Sequence, residues 1–488
     1  MSRLLVGATI ALSVLVAAGL AQFGGGLAMI AAGGLLVANV ILLRWSSPGR
    51  GRSKSVDTRI AALLAASWLV MAITPMHNFS YQSTAAATSS LSIQTAGELV
   101  VFTGIGAFSA FLLRTYLPLR SIGASLTLTP VWVIASASWG GTPAYAVARG
   151  IEYVAIAFLA LATVGLGARN REALELMATR VIRWLAGLTV FLIPVGFALG
   201  PMYVVMTAAN RGRFTWAGAH PTESGFLLGA AVLVFASTRA EVLGIRPWMR
   251  GAGLLVTAAA LFQNQTRTAL AGVAVGIAVI VILDARAHPD RAAFQGFLAF
   301  AGAVGAVAVA GGALGGYALR GGSTEDLTSL NGRSDLWAVG FDALHGPLDW
   351  ILGLGFGATR RVFIDDFAFA GTAHNSLLGT LVGLGLVGVV LLFGSVLRAS
   401  VELFGHHRRS SPGYGATYLS LLAYTLVAAA TRDNLAEPQF GIVFVYLCAA
   451  LAIGASGPSA SDDEPSSDDA TPAESTAVVP PIEVWPVN

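Results

Sequence analysis

An all-α, polytopic bundle of transmembrane helices is the fold class this chain predicts, and three observations carry the prediction. Hydrophobic residues make up 55% of the 488 and charged residues only 11%, with a mean hydropathy of +0.71. A soluble domain carries about 25% charged residues, so this chain has less than half the usual solvating charge. The apolar residues also gather in runs close to the ~20 residues that cross about 30 Å of hydrocarbon. Finally, the basic residues concentrate in alternate connections, as the positive-inside rule requires of a protein that crosses repeatedly.

The elements follow in order. Met1 to Phe23 opens with Arg3 and an apolar run, as a signal peptide does, but passes almost directly into a second run without an A-x-A site. It is therefore expected to stay as the first span. Candidate runs fall near 4–22, 24–43, 59–75, 98–114, 121–138, 150–168, 184–206, 222–238, 250–264, 268–283, 294–318, 374–397, 414–430 and 440–456. The pair flanking Gln263–Thr268 is short on both sides, and a re-entrant hairpin there lowers the count, which gives 12–14 spans. The chain thus divides into transmembrane helices over 1–318, an extracytoplasmic loop over 319–373, C-terminal transmembrane helices over 374–456, and a tail over 457–488. That tail is rich in Ser, Asp, Glu and Pro, too poor in apolar residues to fold, and is expected to be a disordered cytoplasmic segment.

With the N-terminus inside, nine of the 29 basic residues fall outside: Arg149, Arg211, Arg213, Arg267, Arg320, Arg333, Arg360, Arg361 and Arg432. The inside connections hold the rest, and both termini are then cytoplasmic. Lys54 is the only lysine, a bias that carries no functional information on its own. Cys448 is the only cysteine, so no internal disulfide forms, and its apolar run suits a small buried hydrophobe. Neither a cofactor nor a nucleic-acid partner is expected.

The outer loop is long for a compact fold, and such loops tend to be functional. Within it Ser334 to His345 reads as an amphipathic helix with Leu336, Trp337, Phe341 and Leu344 on one stripe and Ser334 as N-cap. Gly353 to Gly357 reads as a flexible stretch whose backbone can approach a ligand. The loop closes at Thr372-Ala373-His374-Asn375, where the next apolar run begins. His374 therefore sits near the outer surface at a helix N-terminus. An unperturbed imidazole suits proton abstraction at neutral pH, although a lone interfacial histidine is as easily a satisfied structural one.

Its company decides between these readings. Arg267 lies between two apolar runs without an acidic neighbour in sequence, Arg211 and Arg213 lie just outside another span ahead of His220, and Arg333 opens the loop helix. Ionisable residues near membrane depth tend to mark substrate sites, and the planar fork of Arg matches phosphate oxygens. Arg320 and Arg432 read as surface residues, and Glu98 and Glu152 as carboxylates at span ends. Glu325, Asp326, Asp335, Asp342, Asp349, Asp365 and Asp366 are scattered among basic residues, so no metal site is expected.

At these residues the chain resembles the O-antigen ligase and O-antigen polymerase superfamily, membrane glycosyltransferases of the GT-C type. Four stretches carry the resemblance: Arg213-Phe214-Thr215 through His220-Pro221-Thr222, Thr266-Arg267-Thr268-Ala269, Asn331-Gly332-Arg333 with Trp337, and Gly353-Leu354-Gly355 with Ala373-His374-Asn375. The resemblance implies a glycan on an undecaprenyl-diphosphate carrier, moved to an acceptor sugar hydroxyl at the outer face of a bacterial inner membrane. In that reading Arg213, Arg267 and Arg333, with Arg211 beside them, hold the diphosphate. His374 activates the acceptor, and Arg360, Arg361, Asn375 and His220 are candidate acceptor or loop contacts. The acceptor is a glycan or glycolipid, and transfer is inverting and metal-independent. The rival class is a transporter or flippase of lipid-linked sugars or anions, which explains spans and arginines but not the long loop. A membrane scaffold offers no reason for the arrangement of arginines and histidine.

Overall fold

The structure, a computed structural model, describes residues 53–77, 93–116, 124–199, 214–215, 221–287, 333–364, 373–409, 414–433 and 435–456. The spans expected at 4–22, 24–43 and 294–318, the tail, and Arg211, Arg213, His220 and Arg320 lie outside the described residues. Among the described residues all regular structure is helical. In chain order come α1 (Ser53–Ile73), α2 (Ile93–Tyr116), α3 (Ala124–Ala135), α4 (Pro143–Arg169), α5 (Arg171–Leu199) and α6 (Pro221–Ser237). A single turn, α7 (Ala240–Leu243), leads to α8 (Pro247–Asn264) and α9 (Arg267–Ala287). Three short helices follow, α10 (Arg333–Asp342), α11 (Pro347–Leu352) and α12 (Ala358–Ile364), and then α13 (Ser376–Arg409), α14 (Gly415–Ala429) and α15 (Phe440–Ser456). Five helices are long and apolar enough to cross a membrane, within α1, α4, α5, α9 and α13, and five shorter apolar ones accompany them. The protein is all-α and polytopic.

The core forms around α15. Every residue from Ile442 to Ala452 is buried, as a helix apolar around its whole circumference must be. It packs against α4 and α13, and α4 packs in turn against α2 and α3. Gly167 of α4 and Gly454 of α15 let the two backbones cross closely: a Cβ on Gly167 would lie 2.7 Å from the Gly454 carbonyl oxygen. Cys448 sits inside this core as a free thiol.

Polar contacts gather the helix ends into two groups. At one end Asn170 donates to Asp57, Arg180 to the Thr58 carbonyl, and Arg183 to the Val242 carbonyl. Arg250 donates to the carbonyls of Phe235 and Ala236, and the Arg286 guanidinium covers Phe404. At the other end meet the starts of α4, α6, α9 and α13, the end of α8, the 430–439 turn and the three short loop helices. Among the described residues, Arg267, Arg333, His374 and Arg432, which the sequence assigns to one face, thus share one end of the bundle.

Two expectations change. Helix α5 begins at Arg171, so Arg171, Arg180 and Arg183 are helical rather than in a connection. Its first turns are amphipathic, and a search for uniformly apolar runs passes over them. Arg149, Glu98 and Glu152 are not end or loop charges. Arg149 Nη1 lies 2.8 Å from both Glu98 Oε2 and Glu152 Oε2, and the side chains are 6%, 1% and 0% exposed. Helices α8 and α9, expected as short runs, pack mainly on other elements, α8 on α6 and α9 on α14. Their 18 and 21 residues reach about 27 and 31 Å.

The loop also differs in detail. Arg333, not Ser334, is the first residue of α10; Leu336 and Gly340 are buried, and Phe341 is exposed and stacks on Trp350. The glycine stretch is a packing device rather than a ligand cradle. Gly353, Gly355 and Gly357 all have positive φ, and the Leu354 amide donates to the Val382 carbonyl at 2.8 Å. A Cβ on Gly353 would come within 2.6 Å of the α13 backbone at Gly383, and one on Gly355 would meet Gly140 Cα at 2.2 Å. Helix α13 breaks here, at Gly385, with φ 66°. Between the glycines Phe356 is buried against Tyr145 and Tyr153, its amide donating to the Ser136 hydroxyl and its carbonyl accepting from the Thr142 hydroxyl.

Candidate functional site

The site is organised by Asp433, in the turn between α14 and α15. Its buried carboxylate accepts the amides of His374 (Oδ2, 3.2 Å) and Asn375 (Oδ1, 3.2 Å) at the N-terminus of α13. A carboxylate there is favoured by the unpaired amides and the helix dipole. Asn375 is the N-cap: its Oδ1 accepts the amides of Leu377 and Leu378, and its Nδ2 donates to the Ala430 carbonyl. Its side-chain amide thus ties the start of α13 to the turn after α14. Ser376 completes the anchorage, donating to the Arg432 carbonyl at 2.6 Å and accepting the Leu435 amide at 3.1 Å. His374 precedes this cap with φ 49°, a left-handed conformation that places its half-buried side chain ahead of the helix axis.

Helix α10 lies over the same corner. Trp337 donates to the Ala373 carbonyl at 3.1 Å, and Leu336 packs in a small core with Phe363, Ala373, Leu378 and Val382. This docking brings Arg333, at the start of α10, into the electrostatic neighbourhood of Arg432, Asp433 and Arg267. Burial above all, and then the charge of Arg432, hold the Arg333 guanidinium below its ordinary range; Asp433 offsets this, and Arg267 adds to it.

Arg267 begins α9, next to a turn fixed on all sides. Buried Asn264 donates to the Phe214 and Pro221 carbonyls, both at 2.7 Å, and to Ser224 Oγ at 3.1 Å. Thr266 donates to the Pro221 carbonyl and to Asn264, Gln265 takes a left-handed φ of 56°, and Phe214 donates its amide to the Gln263 carbonyl. Gly225 is required by this turn, because a Cβ would lie 2.4 Å from Asn264 Oδ1 and 2.6 Å from Thr266 Oγ1. On the next residue, Thr268 shares a 2.8 Å hydrogen bond with Thr431. Arg267 Nε is buried without a hydrogen-bond partner. Such a donor is costly to leave unpaired and calls for an explanation.

Arg432 corrects a surface assignment. It pairs with Glu223 at the start of α6, lies 5.0 Å over the Phe226 ring, and its side chain is only 19% exposed. The sequence signal was its place in Thr431-Arg432-Asp433, between two apolar runs on the same face as Arg267 and His374. The guanidinium groups of Arg267, Arg333 and Arg432 and the carboxylates of Asp433 and Glu223 therefore converge here beside His374. Arg361 does not join them: it is exposed and donates to the Gly141 carbonyl at 3.3 Å. Arg360 belongs to α12, but its side chain is outside the described part. Below the cluster Asp433 and Glu437 line a cavity of about 20 Å³ with Gly357, Thr359 and Thr380, room for a single water. Among the described residues no three His, Cys, Asp or Glu come together in a metal-holding group.

Comparison with curated proteins gave no match. Residues 252–393, running from α8 into α13 and containing Arg267, Arg333 and His374, match a family model described as O-Antigen ligase. Over those residues the chain is similar to the O-antigen ligase family.

Proposed function

We propose that this end of the bundle transfers a glycan from undecaprenyl diphosphate to a sugar hydroxyl of a glycan or glycolipid acceptor. The observation that carries the reading is the convergence of Arg267, Arg333 and Arg432 beside His374, with Arg267 Nε buried and unpaired. A diphosphate oxygen supplies the acceptor that this donor lacks, and charge-assisted bonds of that kind are the strong ones. The arginines also act on the chemistry. As the bond between the anomeric carbon and the diphosphate oxygen breaks, its electron pair and negative charge pass to the diphosphate. Preorganised cations stabilise that charge more in the transition state than in the ground state.

His374 takes the proton from the acceptor hydroxyl, whose oxygen forms the new bond on the face opposite the leaving group, so the anomeric centre inverts. Asp433 acts as a positioning residue, because it fixes the backbone of His374 and Asn375 through their amides. Guanidinium groups replace a divalent ion in neutralising the phosphates, and the reaction needs no metal. In this reading the site end faces outward from a bacterial inner membrane and the arginine-rich opposite end lies in the cytoplasm, with both termini.

The test supplies purified protein in liposomes with an undecaprenyl-diphosphate-linked glycan. Chain growth or acceptor labelling is expected, and loss of it in His374→Ala with membrane insertion intact. Transfer at the wild-type rate in that variant would refute the base assignment. A wild type that moves the lipid-linked glycan across the bilayer without forming a bond would favour the flippase. Loss of activity in EDTA would overturn metal independence.

A further inference from the structure

The long loop carries an apolar face that the proposed chemistry does not use. Leu348, Trp350 and Ile351 of α11 are 68%, 38% and 45% exposed, and Phe341 of α10, 46% exposed, stacks on Trp350 with ring centroids 6.2 Å apart. In a loop that stands in water, four large apolar side chains side by side form an unusual patch. The helix carrying them, however, does not stand away from the bundle. It packs on α13 so closely that a Cβ on Gly385 would lie 2.2 Å from the Ile351 carbonyl oxygen.

That contact fixes a depth. Arg398 is the first charged residue along α13, and about 20 residues counted back from it reach the other edge of the hydrocarbon at about Leu378. Gly385 is seven residues further in, about 10 Å along the helix. Helix α11 therefore lies level with the outermost hydrocarbon, within the 5–10 Å to which interfacial helices bury an apolar face. The patch is also continuous with a surface already turned to lipid. Leu386 follows Gly385 directly and is 49% exposed, and it begins the exposed stripe Leu386, Val390 and Leu397 on the membrane-spanning α13. Stacked Phe341 and Trp350 suit the headgroup boundary, where aromatic rings collect.

We propose that α11, with Phe341 of α10, is seated in the bilayer, its Leu348, Trp350 and Ile351 face covered by lipid acyl chains. The loop is then anchored at a set depth, and Arg333 and His374 are held at the membrane surface where a lipid-linked headgroup lies. The inference rests on the membrane-spanning reading of α13 and not on glycosyl transfer, so a failure of either leaves the other standing.

The only native cysteine, Cys448, is buried, so single nitroxide labels can be placed in the full chain without removing it. Leu348→Cys and Phe341→Cys replace exposed side chains, with Val390→Cys as a lipid-facing reference and Ser334→Cys as an exposed loop reference. In phosphatidylethanolamine–phosphatidylglycerol liposomes, labels at 348 and 341 are expected to behave like the one at 390: relaxed by molecular oxygen and shielded from a water-soluble nickel chelate. Labels that match position 334 would overturn the proposal by placing the face in water. Labels shielded from both reagents would overturn it in favour of a protein partner.

Discussion

At the scale of single residues, the site depends on what each charged group is bonded to as much as on where it lies. Asp433 accepts two backbone amides, and each hydrogen bond to a charged group contributes about 1.5–3 kcal/mol. Asp433→Asn keeps the shape but loses the charge and one acceptor, so a tenfold to hundredfold fall in kcat is expected, at about 1.4 kcal/mol per factor of ten. KM for the lipid-linked donor should change little, because the residue acts through His374 rather than on the phosphates. A variant with raised KM and unchanged kcat would instead assign Asp433 to donor binding. Arg267 offers a different test. A lysine keeps the charge but not the planar fork, so Arg267→Lys should lose nearly as much kcat/KM as Arg267→Ala. Recovery of most of the activity in Arg267→Lys would reduce the role of Arg267 to charge alone.

Among the elements, the glycine stretch and the break in α13 form one joint. Gly353 and Gly385 both have positive φ and both meet backbone atoms where a Cβ would stand. Gly385→Ala or Gly353→Ala is therefore expected to lower stability by about 1–3 kcal/mol, read as a fall in the thermal midpoint in detergent. At Gly394, further along α13, a Cβ would meet nothing within 4 Å, so Gly394→Ala should be neutral or slightly stabilising. This joint is also where sequence reading fell short. A run of Gly-x-Gly-x-Gly states that the backbone needs freedom or close approach, but not whether the approaching partner is a ligand or another segment of chain. The apolar helices were legible because length and hydropathy are local properties. Arg333, Arg267 and His374 were legible from their shared face and from their motifs. Arg432, Asp433 and Glu223 were not, since their importance comes from contacts between α6, the 430–433 turn and α13, which lie far apart in sequence.

At the scale of the whole molecule, arginines among the described residues gather at two ends of the bundle, yet Arg149 belongs to neither. It lies about 9 Å into α4, and Glu152 about 14 Å, measured along the helix from Pro143. Glu98 reaches across from α2, so this ion pair links the two helices that pack most extensively in the bundle. Arg149 Nε, Glu98 Oε1 and Glu152 Oε1 have no hydrogen-bond partner, so the group is held by the two 2.8 Å contacts and by the Tyr145 ring, whose centroid lies 5.3 Å from the guanidinium. Removing one partner from a buried ion pair costs about 3–5 kcal/mol because it strands the remaining charge, whereas replacing the whole set with neutral groups of similar shape is often neutral. Arg149→Met alone should therefore lower the thermal midpoint strongly by leaving two carboxylates buried together. The triple variant Arg149→Met, Glu98→Gln, Glu152→Gln should recover most of the loss, since no formal charge then remains between α2 and α4. Thermal unfolding followed by tryptophan fluorescence separates the outcomes. If the triple variant is as unstable as Arg149→Met, the contacts themselves hold the helices together; if the single variant matches the wild type, the charges do not constrain the fold.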